Sequence, residues 1–337
     1  MKILLAPLNW GLGHASRCVP LVQRLLDEGH EVVLGGDGDS LTLLRKHFPK
    51  LRYVYLAPLN LRYSPGKRQV WAVMKMLPQL IRWAIRDHEM LKAVLREEPF
   101  DQVISDNRFG LYVSPKPKTS KPQTVYITHQ LCIRLPRGWR WAEPIAARLH
   151  ARVYTRYNKV WIPDRAEPEN SLAGELSRIP SSFHLSPFTF EYIGPLSRFA
   201  GSQNNQSIPN NQNYAVVAVL SGLEPQRPQL EKEIVERYMG KEEKVLIVQG
   251  LPAKPQLRVT HKNITLVPYM QDAELAQALR SASHIIARSG YSTIMDLEAL
   301  GLLTTNSQLP TARIELIPTP GQPEQEYLSE WLSRRSQ

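Results

Sequence analysis

Cysteine is nearly absent: Cys18 and Cys132 are the two thiols in 337 residues. Two cysteines cannot build a disulfide scaffold or a four-ligand zinc site, so the chain reads as reduced and cytoplasmic. No apolar run approaches the ~18 residues that a membrane-spanning helix needs. The start, Met1-Lys2-Ile3-Leu4-Leu5-Ala6-Pro7-Leu8, is apolar for only a few residues and reads as a first strand, not a signal peptide. Acidic residues are outnumbered, 31 against 42 basic, giving a net charge of +11. Hydrophobic residues at 42% and charged residues at 22% are those of a globular chain, which excludes a largely disordered or fibrous protein. No internal repeat is present, and the length is about twice that of a usual single domain.

The positive charge is unevenly spread. Residues 1–200 hold 29 Lys and Arg against 17 Asp and Glu, whereas residues 201–337 hold 13 against 14. Unless the asymmetry is chance, the basic half suits an anionic partner: a phosphorylated ligand, a membrane surface or nucleic acid. Short β-branched and apolar runs recur between helical stretches at 2–8, 31–36, 52–57, 102–105, 124–128, 159–163 and 191–194. They continue at 214–220, 244–249, 264–267, 284–287 and 315–317. Alternation of this kind predicts α/β domains with parallel, doubly wound sheets. The polar tract 201–213 has neither a helical nor a strand period. The expected division is a first domain at 1–198, a linker at 199–213 and a second domain at 214–337. Ligands of such sheets bind beyond the carboxyl ends of the strands, at helix N-termini.

Three loops are placed to carry chemistry. Asn9-Trp10-Gly11-Leu12-Gly13-His14-Ala15-Ser16-Arg17 follows the first strand and opens a helix. Gly11 and Gly13 let main-chain N–H groups approach an anion there. Ser16 stands where a dinucleotide fingerprint has its third glycine, which argues against a dinucleotide oxidoreductase. His14 could meet a phosphate or take a proton from a hydroxyl; an exposed histidine on a tight turn is the plain alternative. Asp106, at a strand end in Ser105-Asp106-Asn107-Arg108, is a second candidate base. In the second loop Arg288, Ser289 and Gly290 turn into a helix carrying Asp296. A carboxylate there can accept from a ribose diol while the turn amides face a diphosphate. In the third, Pro318, Pro320 and Gly321 set a turn before Gln322, Gln325 and Glu326, whose amides and carboxylate suit sugar hydroxyls.

Taken together, Gly-Leu-Gly-His after the first strand, Arg-Ser-Gly-x5-Asp with a following Gly301, and Pro-x-Pro-Gly-Gln-x2-Gln resemble glycosyltransferase family 28. Its type member is the N-acetylglucosaminyltransferase that completes lipid II, and the resemblance runs through both domains. It implies a GT-B fold: two Rossmann-like, doubly wound α/β domains facing a central cleft, with the nucleotide-sugar donor on the second and a lipid-linked acceptor on the first. By this resemblance His14 is the family's loop histidine near the reacting groups. Asp296 stands for a glutamate that grips the donor ribose and is one carbon shorter. Ser289 and Gly290 match the turn before it. Gln325 and Glu326 fall on a Gln-Gln pair that contacts the sugar, from which Glu326 departs. Residues 221–227 replace the family's glycine-rich loop, leaving Gly222 and Arg227 to serve a phosphate. The stretch 268–272, with Met270, corresponds to the uracil-binding edge, and His129-Gln130 to an acceptor-side stretch. Residues 302–313 exceed the family's link, and the chain ends at Gln337 where family members continue: by the resemblance it is either naturally short or altered or truncated at its end.

The implied activity is inverting transfer of a hexose, such as N-acetylglucosamine, from a UDP-sugar to a lipid-linked or glycolipid acceptor of the cell envelope. His14 or Asp106 would take the acceptor's proton. A UDP-sugar 2-epimerase, or a non-catalytic nucleotide- or lipid-binding protein, is the alternative. Asp37-Gly38-Asp39 has the Asp-x-Asp form of metal-dependent transferases but reads as a turn, so neither metal nor cofactor is expected. Finally, Trp71, Arg82, Trp83 and Arg86 in one segment, and Arg137, Trp139, Arg140 and Trp141 in another, set cations beside tryptophan. That pattern suits an anionic lipid surface; single-stranded RNA and a merely solvated face are the alternatives. The family's lipid acceptors favour the membrane, so a peripheral place on the inner face of the cell membrane is expected, with no nucleic acid partner.

Overall fold

The computed structural model describes residues 1–59, 69–113, 122–180, 189–200, 214–222, 224–303 and 312–335, with main chain alone for 69–76. The tract 201–213 lies outside the described residues. The chain forms two compact bodies, Met1–Trp10 with His14–Leu196, and Gly11–Gly13 with Ser197–Gln337.

The first body runs β1 (Lys2–Pro7), α1 (Gly13–Asp27), β2 (Glu31–Gly36), α2 (Gly38–His47), β3 (Tyr53–Tyr55), α3 (Gln69–Glu97) and β4 (Gln102–Asp106). It continues with β5 (Gln123–Ile127), α4 (Glu143–Tyr154), β6 (Lys159–Ile162) and β7 (Thr189–Tyr192). All seven strands are parallel, in the order β3-β2-β1-β4-β5-β6-β7. Helices cover both faces of such a sheet, which is why Ile3, Leu4, Leu5 and Ala6 are consecutive apolar residues, all fully buried. Helix α1 buries Ala15, Cys18, Val19, Val22 and Leu25, a stripe at three- and four-residue spacing. It stops at Gly29, whose φ of +76° lets the His30 N–H reach back to the Leu25 carbonyl at 3.0 Å. The strand order reverses between β1 and β4, where Pro7 is paired with Asp106. Loops leaving the carboxyl ends of two such strands diverge and open a crevice.

The second body runs β8 (Val216–Val219), α5 (Gln226–Tyr238), β9 (Val245–Val248), β10 (Val259–His261), β11 (Ile264–Val267) and α6 (Asp272–Ser281). Then come β12 (His284–Arg288), α7 (Tyr291–Ala299), β13 (Arg313–Ile317) and α8 (Pro323–Arg335). The order is β10-β11-β9-β8-β12-β13, with only β10 antiparallel to its neighbour. Strand residues alternate between two cores. Val216, Ala218, Val245 and Ile247 meet Leu230 and Ile234 of α5. Val217, Leu246, Val248 and Ile285 meet Leu275 and Leu279 of α6 and Leu297 of α7. Each such side chain stabilises by roughly 1.5–3 kcal/mol relative to exposure.

Every strand expected from the sequence is present, with ends shifted by at most two residues. β10 was not expected: its three residues are exposed, and its hairpin turns through Lys262 at φ +52° without a glycine. Among the described residues no helix is long and apolar enough to cross a membrane.

Candidate active site

Because β1 and β4 are neighbours, the first turn of α1 and the last residue of β4 meet. His14 Nδ1 lies 2.8 Å from Oδ1 of the fully buried Asp106. A carboxylate only accepts, whereas Arg17 Nη2, 3.0 Å from the same Nδ1, only donates, so the two contacts make opposite demands on that nitrogen. Arg17, one turn along α1, grips the same carboxylate: Nε donates to Oδ2 at 2.5 Å and Nη2 to Oδ1. Its Nη1 lies 3.1 Å from His129 Nδ1, in the loop after β5. Burial works to raise the Asp106 pKa, but Arg17 and then His14 outweigh it and hold the carboxyl well below the usual carboxylate range. Asp106 is therefore a fixed anion that orients a neighbour. This corrects its reading as a rival base, since no proton is taken by a buried carboxylate already bound by an arginine. His14 keeps 15% of its side chain exposed. The sequence reading passed over Arg17, although its i+3 spacing from His14 sets both on one helix face. Gly11 adopts φ +74°, Gly13 opens α1, and the Gln130 N–H donates to Thr128 Oγ1 at 3.1 Å.

A second buried network lies beside the first. Arg108 Nη1 donates to Asp37 Oδ1 at 2.8 Å, and its Nη2 and Nε hold Asp87 at 2.6 and 3.1 Å. Asn9 Nδ2 donates to the other oxygen of Asp37 at 3.0 Å. The first acid of the Asp-x-Asp stretch is thus committed to an internal ion pair, and Asn9 braces that acid instead of facing outward.

In the second body the order reverses between β8 and β12, with β13 alongside. Helices α5, α7 and α8 start just beyond these three adjacent strands. First-turn N–H groups of a helix find no carbonyl within it, and each N-terminus carries about half a positive charge. Gly222, at φ +102°, gives the loop after β8 a conformation other residues resist. Ser289 Oγ donates to the Gln325 carbonyl at 2.8 Å, and Gln325 Oε1 accepts from the Thr319 N–H at 2.8 Å. Gln325 Nε2 donates to Gln322 Oε1 at 2.6 Å. The Arg-Ser-Gly and Pro-Gly-Gln stretches, with Gly290 capping α7, therefore form one assembly, and Glu326 is exposed beside it.

Several expected donor contacts are occupied from within. Arg288 is buried and donates to the carbonyls of Pro318 and Gln226 at 3.1 and 3.0 Å, bracing the loops. Arg227 is held by Glu224 at 2.8 Å and Glu231 at 3.1 Å, so its charge is met locally and is not offered to a phosphate. Met270 is a core residue packed with Leu275, which leaves only its main chain for a base. Asp296 Oδ1 accepts from Ser197 Oγ at 2.6 Å, and Arg198 Nε lies 3.5 Å from Oδ2. Burial raises the Asp296 carboxyl to about 6 despite Arg198. Ser197 and Arg198 escaped the sequence reading because they sit in what looks like plain connection.

The basic segments also need correction. Trp83 faces inward: it is 6% exposed, its Nε1 donates to the Ala57 carbonyl at 2.9 Å, and Arg108 lies over its ring. It cannot lie on a lipid surface. The Trp71 side chain is outside the described residues. Arg82 and Arg86 are exposed, and on the same helix Leu77, Ile81 and Ile85 form an outward apolar line at four-residue spacing. Arg137 and Arg140 are exposed on the short turn Arg137–Ala142, where Trp139 stacks on Trp141 at 5.9 Å. Trp141, 69% exposed, continues into Ile145 and Leu149 on α4.

No known protein-family model matches the chain. It is 25% identical over 308 residues to an uncharacterized glycosyltransferase of Methanosarcina acetivorans, a match covering 90% of this chain and 78% of that one. Among solved structures, the spinosyn rhamnosyltransferase SpnG complexed with thymidine diphosphate aligns with a TM-score of 0.54 at 13% identity, over 98% of this chain and 84% of that one. The UDP-GlcNAc 2-epimerase from Neisseria meningitidis, bound to UDP-GlcNAc, aligns at 0.51 and 14% identity, over 100% and 93%. The fold is GT-B, and with its relatives it makes the chain an enzyme of the glycosyltransferase type.

Proposed function

We propose that the enzyme moves a hexose, N-acetylglucosamine or a related sugar, from a UDP-sugar to a hydroxyl of a lipid-linked or cell-envelope acceptor, in the manner of family 28. The His14–Asp106 pair at 2.8 Å carries this reading. As the acceptor oxygen attacks the anomeric carbon, His14 takes its proton; the bond to the diphosphate breaks on the opposite face, so the product is inverted. The departing UDP carries negative charge, and the N-termini of α5, α7 and α8 in the second body supply the compensating dipoles. On this reading neither metal nor cofactor is required. The Ser289–Gln325–Gln322 assembly supports donor binding, and Asp296 is the proposed ribose contact. Of the neighbouring structures, one holds thymidine diphosphate and one UDP-GlcNAc, which supports a pyrimidine nucleoside diphosphate donor. Arg82, Arg86, Arg137 and Arg140, beside exposed Trp141, Ile81 and Ile145, would rest on the anionic inner face of the membrane where such an acceptor resides.

The test is direct. A thermal-shift screen of UDP-, dTDP- and GDP-sugars identifies the donor, because a bound ligand stabilises by mass action. UDP release is then measured with and without a polyprenyl-linked sugar acceptor. Release only with the acceptor supports transfer. Conversion of the sugar without an acceptor identifies an epimerase, and binding with neither leaves a non-catalytic protein.

A further inference from the structure

We propose that Asn107 binds the acceptor: its carboxamide, held at one end by the buried hydroxyl of Tyr126, offers its other end to a hydroxyl or acetamido group of the acceptor's sugar. The inference rests on the transferase reading for the acceptor's class.

Asn107 is the first residue beyond β4 and follows Asp106 directly. Its φ of +59° lies in the left-handed region, which only one other non-glycine residue adopts among the described residues. Glycine suits that backbone best and asparagine tolerates it, so the reason for a side chain here lies in what its amide meets. Tyr126, fully buried on β5 and paired with Ser105, donates to Asn107 Oδ1 at 2.5 Å. The same hydroxyl lies 3.3 Å from His150 Nε2 on α4. A carboxamide has a donor end and an acceptor end. Whichever end Tyr126 holds, the other has no partner among the described residues. Asp106 and Arg108 on either side are fully buried, whereas Asn107 is half-buried and keeps a side open to a ligand. The three joined groups are uncharged at neutral pH, because burial holds the Tyr126 hydroxyl protonated and pushes His150 down to about 4. They suit hydroxyls and amides better than a phosphate. The chain of contacts ends on α4, whose outer residues Ile145 and Leu149 are exposed. A polar group to read a sugar and an apolar face therefore belong to elements joined by hydrogen bonds, as a sugar carried on a lipid requires.

Two variants and two readouts test this. Asn107→Gly keeps a residue that favours φ +59°, and adding Tyr126→Phe removes the hydroxyl that the first change would strand. The first readout is UDP release with a polyprenyl-linked sugar as acceptor. Both variants should raise the acceptor KM about tenfold while donor affinity by calorimetry holds, as the loss of one or two hydrogen bonds to a substrate would. The second readout is the side-chain 15N amide signal of Asn107 in the full-length protein, identified by its absence from Asn107→Gly. Titration with the same acceptor in the presence of UDP, where no turnover occurs, should shift it. An unchanged acceptor KM in the folded double variant, or a signal that the acceptor does not move, would overturn the proposal. If neither variant folds, the amide signal decides, assigned through its backbone connectivity. A signal that shifts although no UDP-sugar is ever turned over would uphold Asn107 and reject the transferase reading instead.

Discussion

The two sheets each reverse their strand order once and set their loops at that reversal, but they equip it differently. At β1 and β4 the first body uses side-chain charge: Arg17, Asp106 and His14, with Arg108, Asp37 and Asp87 beside them. At β8 and β12 the second body offers glycines, amides and helix starts, while Arg227 and Arg288 are taken up internally. The proposed transfer would account for the contrast. A proton is taken at one atom of set affinity, which only a side chain provides; a diphosphate is a diffuse, permanent anion that main-chain dipoles satisfy. Asp106 and Asp296 display the difference as titrations, one held below the usual range and the other raised to about 6.

The contrast can be broken in several places. The largest effect is expected from Arg108→Met, which strands Asp37 and Asp87 as buried anions and should cost about 3–5 kcal/mol in urea unfolding. A loss under ~1 kcal/mol would mean that internal charge is not what holds the first body together. Next, replacing Arg82, Arg86, Arg137 and Arg140 by Gln removes about 1 kcal/mol of surface attraction each and should abolish co-sedimentation with anionic vesicles. UDP-sugar affinity should be untouched and unfolding still cooperative, because exposed arginines add little to the fold. Equal binding of the parent protein to neutral vesicles would make these cations an ordinary solvated face. His14→Ala should lower turnover about 10²-fold with donor affinity intact by calorimetry. Normal turnover would place the chemistry outside the first body.

The smallest and most specific effect concerns pH. Asp296 binds its proton more tightly folded than unfolded, so it makes stability fall as pH rises from about 4 to 6 and contributes no slope above that. Asp106 acts oppositely, its contribution being lost only as pH falls below about 4. Asp296→Asn should flatten the first slope and leave the second, as read from unfolding midpoints across pH. A slope unchanged by the substitution would assign it to another group.

Much of the architecture was legible because buried parallel strands are unbroken apolar runs, such as 3–6 and 245–248. β10 was not, since three exposed residues bury nothing that a pattern can register. His14 could be found as a helix-start residue and Asp106 as a strand-end residue, but their pairing depends on β4 crossing to the far side of β1. Trp83 misled because α3 is apolar on two sides. Leu77, Ile81 and Ile85 point outward by the same composition that sends Trp83 and Leu91 inward. What sets the phase is Asp87, which meets an arginine from a distant loop. Arg227 carried a signal in the sequence: Glu224 and Glu231, three and four residues away, already announced where its charge would go.

The strand order of the first sheet also has a kinetic consequence. His14 and Asp106 are 92 residues apart, and Arg17 and His129 are 112 apart. Closing spans of that length costs entropy that the few contacts at the site cannot return, and parallel pairings between distant strands are slow to form. During refolding, α1 can regain helicity while its histidine still faces water and Asp106 titrates as an ordinary aspartate. The His14–Asp106 pair therefore comes into being with the pairing of β1 and β4, and stopped-flow refolding should show helical signal recovering before Asp106 is buried against Arg17.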